Sequence, residues 1–106
     1  MSPRVHLLVV DDCPSSALTR ERLEIALREV DASDLVTVTT VDSAEQAELL
    51  GLRGSPTVLL DGHDPFSEPS TPSSLSCRLY STPNGLAGSP TVEQLVTALR
   101  ARSPLA

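Results

Sequence analysis

Two cysteines, two histidines and a pair of adjacent aspartates are the residues of this chain best suited to chemistry. Asp11, Asp12 and Cys13 follow one another in "HLLVVDDCPSS", residues 6 to 16. Acids paired after an apolar run could hold magnesium against a phosphate. A cysteine just ahead of a helix could act as a nucleophile, because unpaired N–H groups and the positive end of the helix dipole favour thiolate over thiol. Asp11 and Asp12 oppose that effect, since adjacent negative charge disfavours a second anion. Cys77 is the other thiol, and His6 and His63 complete the set of nitrogen ligands. Two Cys and two His without C-x₂-C spacing make a poor metal site.

The elements that position these residues follow from apolar spacing. Residues 5 to 10 form an apolar run, broken only by His6, that suits an interior strand covered on both faces. Pro14 fits the first turn of a helix from Pro14 to Val30. Residues 35 to 40, "LVTVTT", predict a second strand. A short helix over "DSAEQAELLG" can be capped by Asp42 or Ser43 and closed by Gly51. A third strand is expected from Thr57 to Leu60, and "CRLY" predicts a fourth. Between them residues 63 to 76, rich in Pro and Ser, read as a long loop in which His63 and Phe66 either cover the site or anchor the loop. Val92, Leu95, Val96 and Leu99 fall on one face of a last helix capped by Ser89 or Thr91. The order is β-α-β-α-β-β-α, a single α/β domain over residues 1–106.

Composition narrows the functions. With 2% aromatic residues, the core must be aliphatic. The net charge of −6 without a basic run argues against nucleic acid and anionic membranes as partners. No window is long enough to span a bilayer, and the first apolar run is too short for a signal peptide, so a cytoplasmic protein is expected. All eight basic residues are arginines, which removes Schiff-base and lysine-phosphate chemistry. "LLVVDD" resembles the opening of response-regulator receiver domains, with Asp61 as a stand-in phosphoacceptor. The chain lacks the lysine that such a domain needs, and a degenerate receiver is the weaker reading. As turn residues, Asp11 and Asp12 would be solvated and help to cap the first helix.

The element order and two motifs resemble the thioredoxin-like superfamily, with a mixed four-stranded sheet between flanking helices. Cys13-Pro14-Ser15-Ser16 is similar to the C-P-x-C or C-P-x-S motif of glutaredoxins and thioredoxin-like oxidoreductases. "LRGSPTVLLDG", Leu52 to Gly62, is similar to their cis-proline segment. A small actinobacterial-type group of thioredoxin-like proteins shares the "DCP" and "RGSPT…DG" pattern. The resemblance implies thiol-disulfide exchange at Cys13, with a protein thiol or disulfide, or glutathione as co-substrate, for partner. It implies a cis Ser55–Pro56 bond, with Pro14, Ser55, Pro56 and Thr57 lining the substrate edge. A substrate backbone can pair with such an edge. Arg53 and Arg20 are candidates for a glutathione carboxylate, whereas Arg22, Arg28, Arg100 and Arg102 are expected on a solvated surface.

Ser16 stands where a dithiol enzyme keeps its second cysteine. Its hydroxyl can donate to Cys13 but cannot close a disulfide, so ordinary CxxC turnover is ruled out. Three readings stay open: a monothiol exchanger, pairing of Cys13 with Cys77, or a non-catalytic module that binds a partner or a soft metal such as mercury or copper. Cys77 at the start of a strand antiparallel to Thr57–Leu60 points away from the proline end. At a rise of ~3.4 Å per residue it would lie roughly 10 Å or more from Cys13. A disulfide needs Cα atoms within about 7 Å.

Overall fold

The computed structural model describes residues 4–67 and 71–102. Ten elements follow in order: β1 (Val5–Val9), α1 (Ser16–Glu29), β2 (Val36–Thr40), α2 (Ala44–Leu50), β3 (Arg53–Ser55), β4 (Thr57–Leu60), β5 (Ser74–Cys77), β6 (Tyr80–Thr82), β7 (Gly85–Ala87) and α3 (Val92–Ala101). The central sheet is mixed, in the order β2-β1-β4. β2 runs parallel to β1, with Leu7 opposite Val38, and β4 runs antiparallel to it, with Leu7 opposite Val58.

Strand β1 is buried on both faces, and its pleat sorts the core into two layers. Val5, Leu7 and Val9 face α1 and α3, where Leu23, Ala26, Leu27, Leu95 and Leu99 close over them together with Val58 and Leu60 of β4. Leu8 faces the other way, onto Leu52, Leu59, Val41 and Ala47 of α2. The expected aliphatic core is therefore present, divided between two sides of one strand.

Both later helices start at one of the two cap residues their sequences offer, and α2 ends at the expected glycine. Ser43 caps α2 by accepting from the Gln46 N–H, and Gly51 ends it at φ +90°. Thr91 and Gln94 form a reciprocal capping box at the start of α3. Helix α1 differs: it begins at Ser16, so Pro14 precedes the cap instead of occupying the first turn. Ser15 is the cap residue and its side chain makes no capping bond. That side chain abuts the backbone of Gly88, where any Cβ would meet the Ser15 Oγ at 2.3 Å.

The second half of the chain departs furthest from expectation. No fourth strand lies beside β4 among the described residues. "CRLY" is divided: Cys77 ends β5, which pairs in parallel with β3, and Tyr80 opens β6, which forms a hairpin with β7. The "STPNGLAG" stretch, turn material by composition, supplies that hairpin. Of the expected loop over residues 63 to 76, residues 74 to 76 belong to β5, and 68 to 70 lie outside the described residues.

At the start of β1 an ion cluster joins Arg4 and Arg102 through Asp34. Arg102 donates to Asp34 at 2.7 Å, and Arg4 lies 3.6 Å from Asp34 and 3.2 Å from Asp61. Burial pushes the Asp34 carboxyl up, but the Arg102 hydrogen bond and the charges of Arg102 and Arg4 outweigh it and hold the group below its ordinary value. A depressed carboxyl contributes stability that is fully present above the unfolded value, about pH 4. That contribution is lost as the pH falls from there through the folded value. Urea unfolding of Asp34→Asn should therefore show lower stability at neutral pH and a shallower acid loss than wild type. Parallel acid profiles for the two chains would show that Asp34 carries none of it.

Candidate functional site

The apolar run of β1 delivers the chain through the core and ends at a turn. Asp11 and Asp12 are exposed there, and Asp12 adopts φ +58°, a conformation aspartate tolerates better than most residues. Cys13 follows, half-buried and with a free thiol. The Ser16 N–H donates to the Cys13 carbonyl at 3.3 Å, and the Ser16 hydroxyl donates to the same oxygen at 3.1 Å. Ser16 therefore shapes the turn that presents Cys13 and spends its proton on the backbone, not on the sulfur. The aspartates cap no helix. Among the described residues, no three His, Cys, Asp or Glu side chains gather into a group that could hold a metal ion.

The second motif lies beside the end of β1. The Ser55–Pro56 bond is cis. The Ser55 hydroxyl accepts from the Val10 N–H at 3.0 Å, joining the proline segment to the strand that leads to Cys13. The Thr57 hydroxyl donates to the Gly54 carbonyl at 2.6 Å and accepts from the Arg53 N–H at 3.0 Å, which closes a tight loop around Pro56. The edge expected to receive a substrate strand is filled by the chain itself. Ser55 is in register with Cys77, and its carbonyl accepts from the Arg78 N–H at 3.0 Å. The Pro56 carbonyl accepts from the Tyr80 hydroxyl. Cys77 consequently lies next to the proline, opposite to the placement an antiparallel fourth strand would give it.

Behind this edge is a buried network that the sequence reading missed. Arg78 grips Asp64 with both ends of its guanidinium, at 2.6 and 3.3 Å, and the two side chains are 8% and 3% exposed. The same guanidinium lies 4.6 Å from the Tyr80 ring centroid. Phe66 meets that ring edge-on at 5.5 Å, so the two aromatic residues of the chain pack on each other. Burial pushes the Tyr80 phenol above its ordinary value; Arg78 works against this, while negative charge at Asp64 and Cys13 adds to it. One signal was available in "CRLY": Arg78 and Tyr80 are two apart, hence on one face of an extended segment. Nothing in the sequence marked Asp64 as their partner.

The remaining candidates have structural partners. Arg53 donates to the Ser67 hydroxyl at 2.6 Å, and Arg20 pairs with Glu24 on the exposed side of α1 at 3.7 Å. Arg22 donates to the Pro90 carbonyl and Arg102 to Asp34, so neither belongs to a solvated surface as expected. The His6 ring hydrogen-bonds Thr39 at 2.7 Å, and burial lowers its pKa, in keeping with a structural role. His63 is exposed in the turn after β4, whereas Phe66 anchors the loop to the core. A groove of about 940 Å³ opens between α3 and this loop, lined by Leu60, Phe66, Pro83 and Ala98 among others. It lies at the end of the sheet opposite to Cys13 and contains neither cysteine.

No helix among the described residues is long and apolar enough to cross a membrane. Comparison with protein-family models, with curated proteins and with solved structures finds no match to this chain, so the reading of the site rests on the geometry of Cys13 and the proline edge alone.

Proposed function

We propose that this is a thioredoxin-like thiol-disulfide exchange protein that reacts through Cys13 as a single thiol. The observation that carries the reading is the position of Cys13: an unpaired, half-buried sulfur in the turn between the central strand β1 and helix α1. A thiol just ahead of a helix feels the positive end of the helix dipole, which favours thiolate over thiol. The layering supports the family reading, with α1 and α3 on one face of a mixed sheet and α2 on the other. The pairing of β6 with β7, where that family keeps a fourth strand, is a departure from it.

The filled Ser55 edge favours a small disulfide, such as glutathione disulfide, over an extended peptide that would pair with the strand. In the exchange, the Cys13 thiolate attacks one sulfur of the disulfide, a mixed disulfide forms, and the second half leaves as a thiolate. Ser16 holds the turn, and Tyr80 and Arg78 hold the edge beside it. Incubation with glutathione disulfide should place an adduct on Cys13 faster than on a free cysteine, read by intact mass and peptide mapping. Cys13→Ser should abolish that adduct while leaving the fold intact by circular dichroism. Equal reactivity of Cys13 and free cysteine would leave a non-catalytic α/β module.

A further inference from the structure

Resting on this exchange reading, we infer that Cys77 is the resolving thiol for Cys13, doing from a separate strand what Ser16 cannot do from the motif. The juxtaposition is built by Ser55. On one side, its hydroxyl accepts from the Val10 N–H, three residues before Cys13. On the other, Ser55 is in register with Cys77, at the spacing of adjacent strands, about 4.8 Å. Both thiols are free, Cys13 half-buried and Cys77 exposed.

The position of Cys77 is set by its neighbour in the chain. The Arg78 N–H donates to the Ser55 carbonyl, and the Arg78 guanidinium is sunk onto Asp64. Gly54 lets the two strands approach, since any Cβ there would lie 2.9 Å from the Arg78 Cβ. The ladder between β3 and β5 carries a register shift between Arg53 and Ser55, and past it Cys77 stands opposite Ser55.

The sequence of steps balances. The Cys13 thiolate attacks a low-molecular-weight disulfide, forms a mixed disulfide and releases one thiolate, which takes a proton from water. The Cys77 thiol gives its proton to solvent, attacks the Cys13 sulfur and releases the second thiolate. A Cys13–Cys77 disulfide results: the small disulfide gains two electrons, and the two cysteines lose them. Closure requires their Cα atoms to come within about 7 Å.

The test compares wild type, Cys77→Ser and Cys13→Ser after a pulse of glutathione disulfide, by intact mass under non-reducing conditions and peptide mapping. Wild type should pass through a glutathionyl adduct and end as a monomer two hydrogens lighter, with the Cys13 and Cys77 peptides linked. Cys77→Ser should stop at the adduct on Cys13, and Cys13→Ser should gain neither adduct nor link. Because Cys77 is exposed, its serine variant keeps the fold. Should wild type retain the adduct as long as Cys77→Ser does, or link only between two chains, the resolving role is overturned and the monothiol reading stands. Absence of both adduct and link in wild type overturns the two together.

Discussion

Asp64→Ala should destabilise the protein by about 3–5 kcal/mol, the cost of leaving one member of a buried ion pair without the other. The Arg78 side chain is 8% exposed, and its guanidinium donates two hydrogen bonds to Asp64. Its other contacts are the Tyr80 ring face and a 3.5 Å approach to the Thr57 hydroxyl, and neither carries a compensating charge. Asp64 also accepts from the Phe66 N–H at 2.9 Å, so its loss frees the loop that packs Phe66 on Tyr80. Domains of this size are stable by only about 5–15 kcal/mol, so such a loss approaches unfolding. The double replacement Asp64→Leu with Arg78→Met should cost much less, because removing both charges also removes the desolvation that each imposes. Urea unfolding of the two chains decides it. A loss below about 1 kcal/mol for Asp64→Ala would mean that the pair behaves like a solvated surface contact.

How much of this could be read beforehand depended on the range of the interactions. The caps of helices α2 and α3 were legible to within a pair of candidates at each start, because Ser43, Gly51 and Thr91 act within their own turns. Strand β1 was legible because a run buried on both faces has little choice of partner layer. The start of α1 was not: the Ser15 side chain makes no capping bond and lies against Gly88, more than seventy residues away. The motif positions of Cys13 and Ser16 were legible, but the acceptor of the Ser16 hydroxyl was not. Strand β5 was misassigned for a similar reason. A short segment such as "SLSC" carries no signal for which edge it will join, and the parallel partner at β3 is chosen by Arg78 reaching Asp64. Long-range polar pairs decided the half of the chain where apolar periodicity is weak.

Gly54→Ala tests whether that close approach holds β5 in place. Gly54 has φ +97°, a conformation that costs an L-residue about 1 kcal/mol or more. The added methyl would also lie 2.9 Å from the Arg78 Cβ and 3.2 Å from its Cα, atoms that cannot swing aside as a side-chain tip can. Overpacking of that kind costs about 1–3 kcal/mol, so the substitution should cost roughly 2–4 kcal/mol in all. Gly51 supplies the comparison. It has φ +90° at the end of α2, with nothing within 4 Å of where a Cβ would stand. Gly51→Ala should therefore show the conformational cost alone, about 1 kcal/mol. The difference between the two variants, measured by urea unfolding, isolates the contact between strands. Equal losses would mean that β3 and β5 are not pressed together at Arg78. A larger loss at Gly54, with faster alkylation of Cys77, would mean that the glycine holds the thiol-bearing strand against the proline edge.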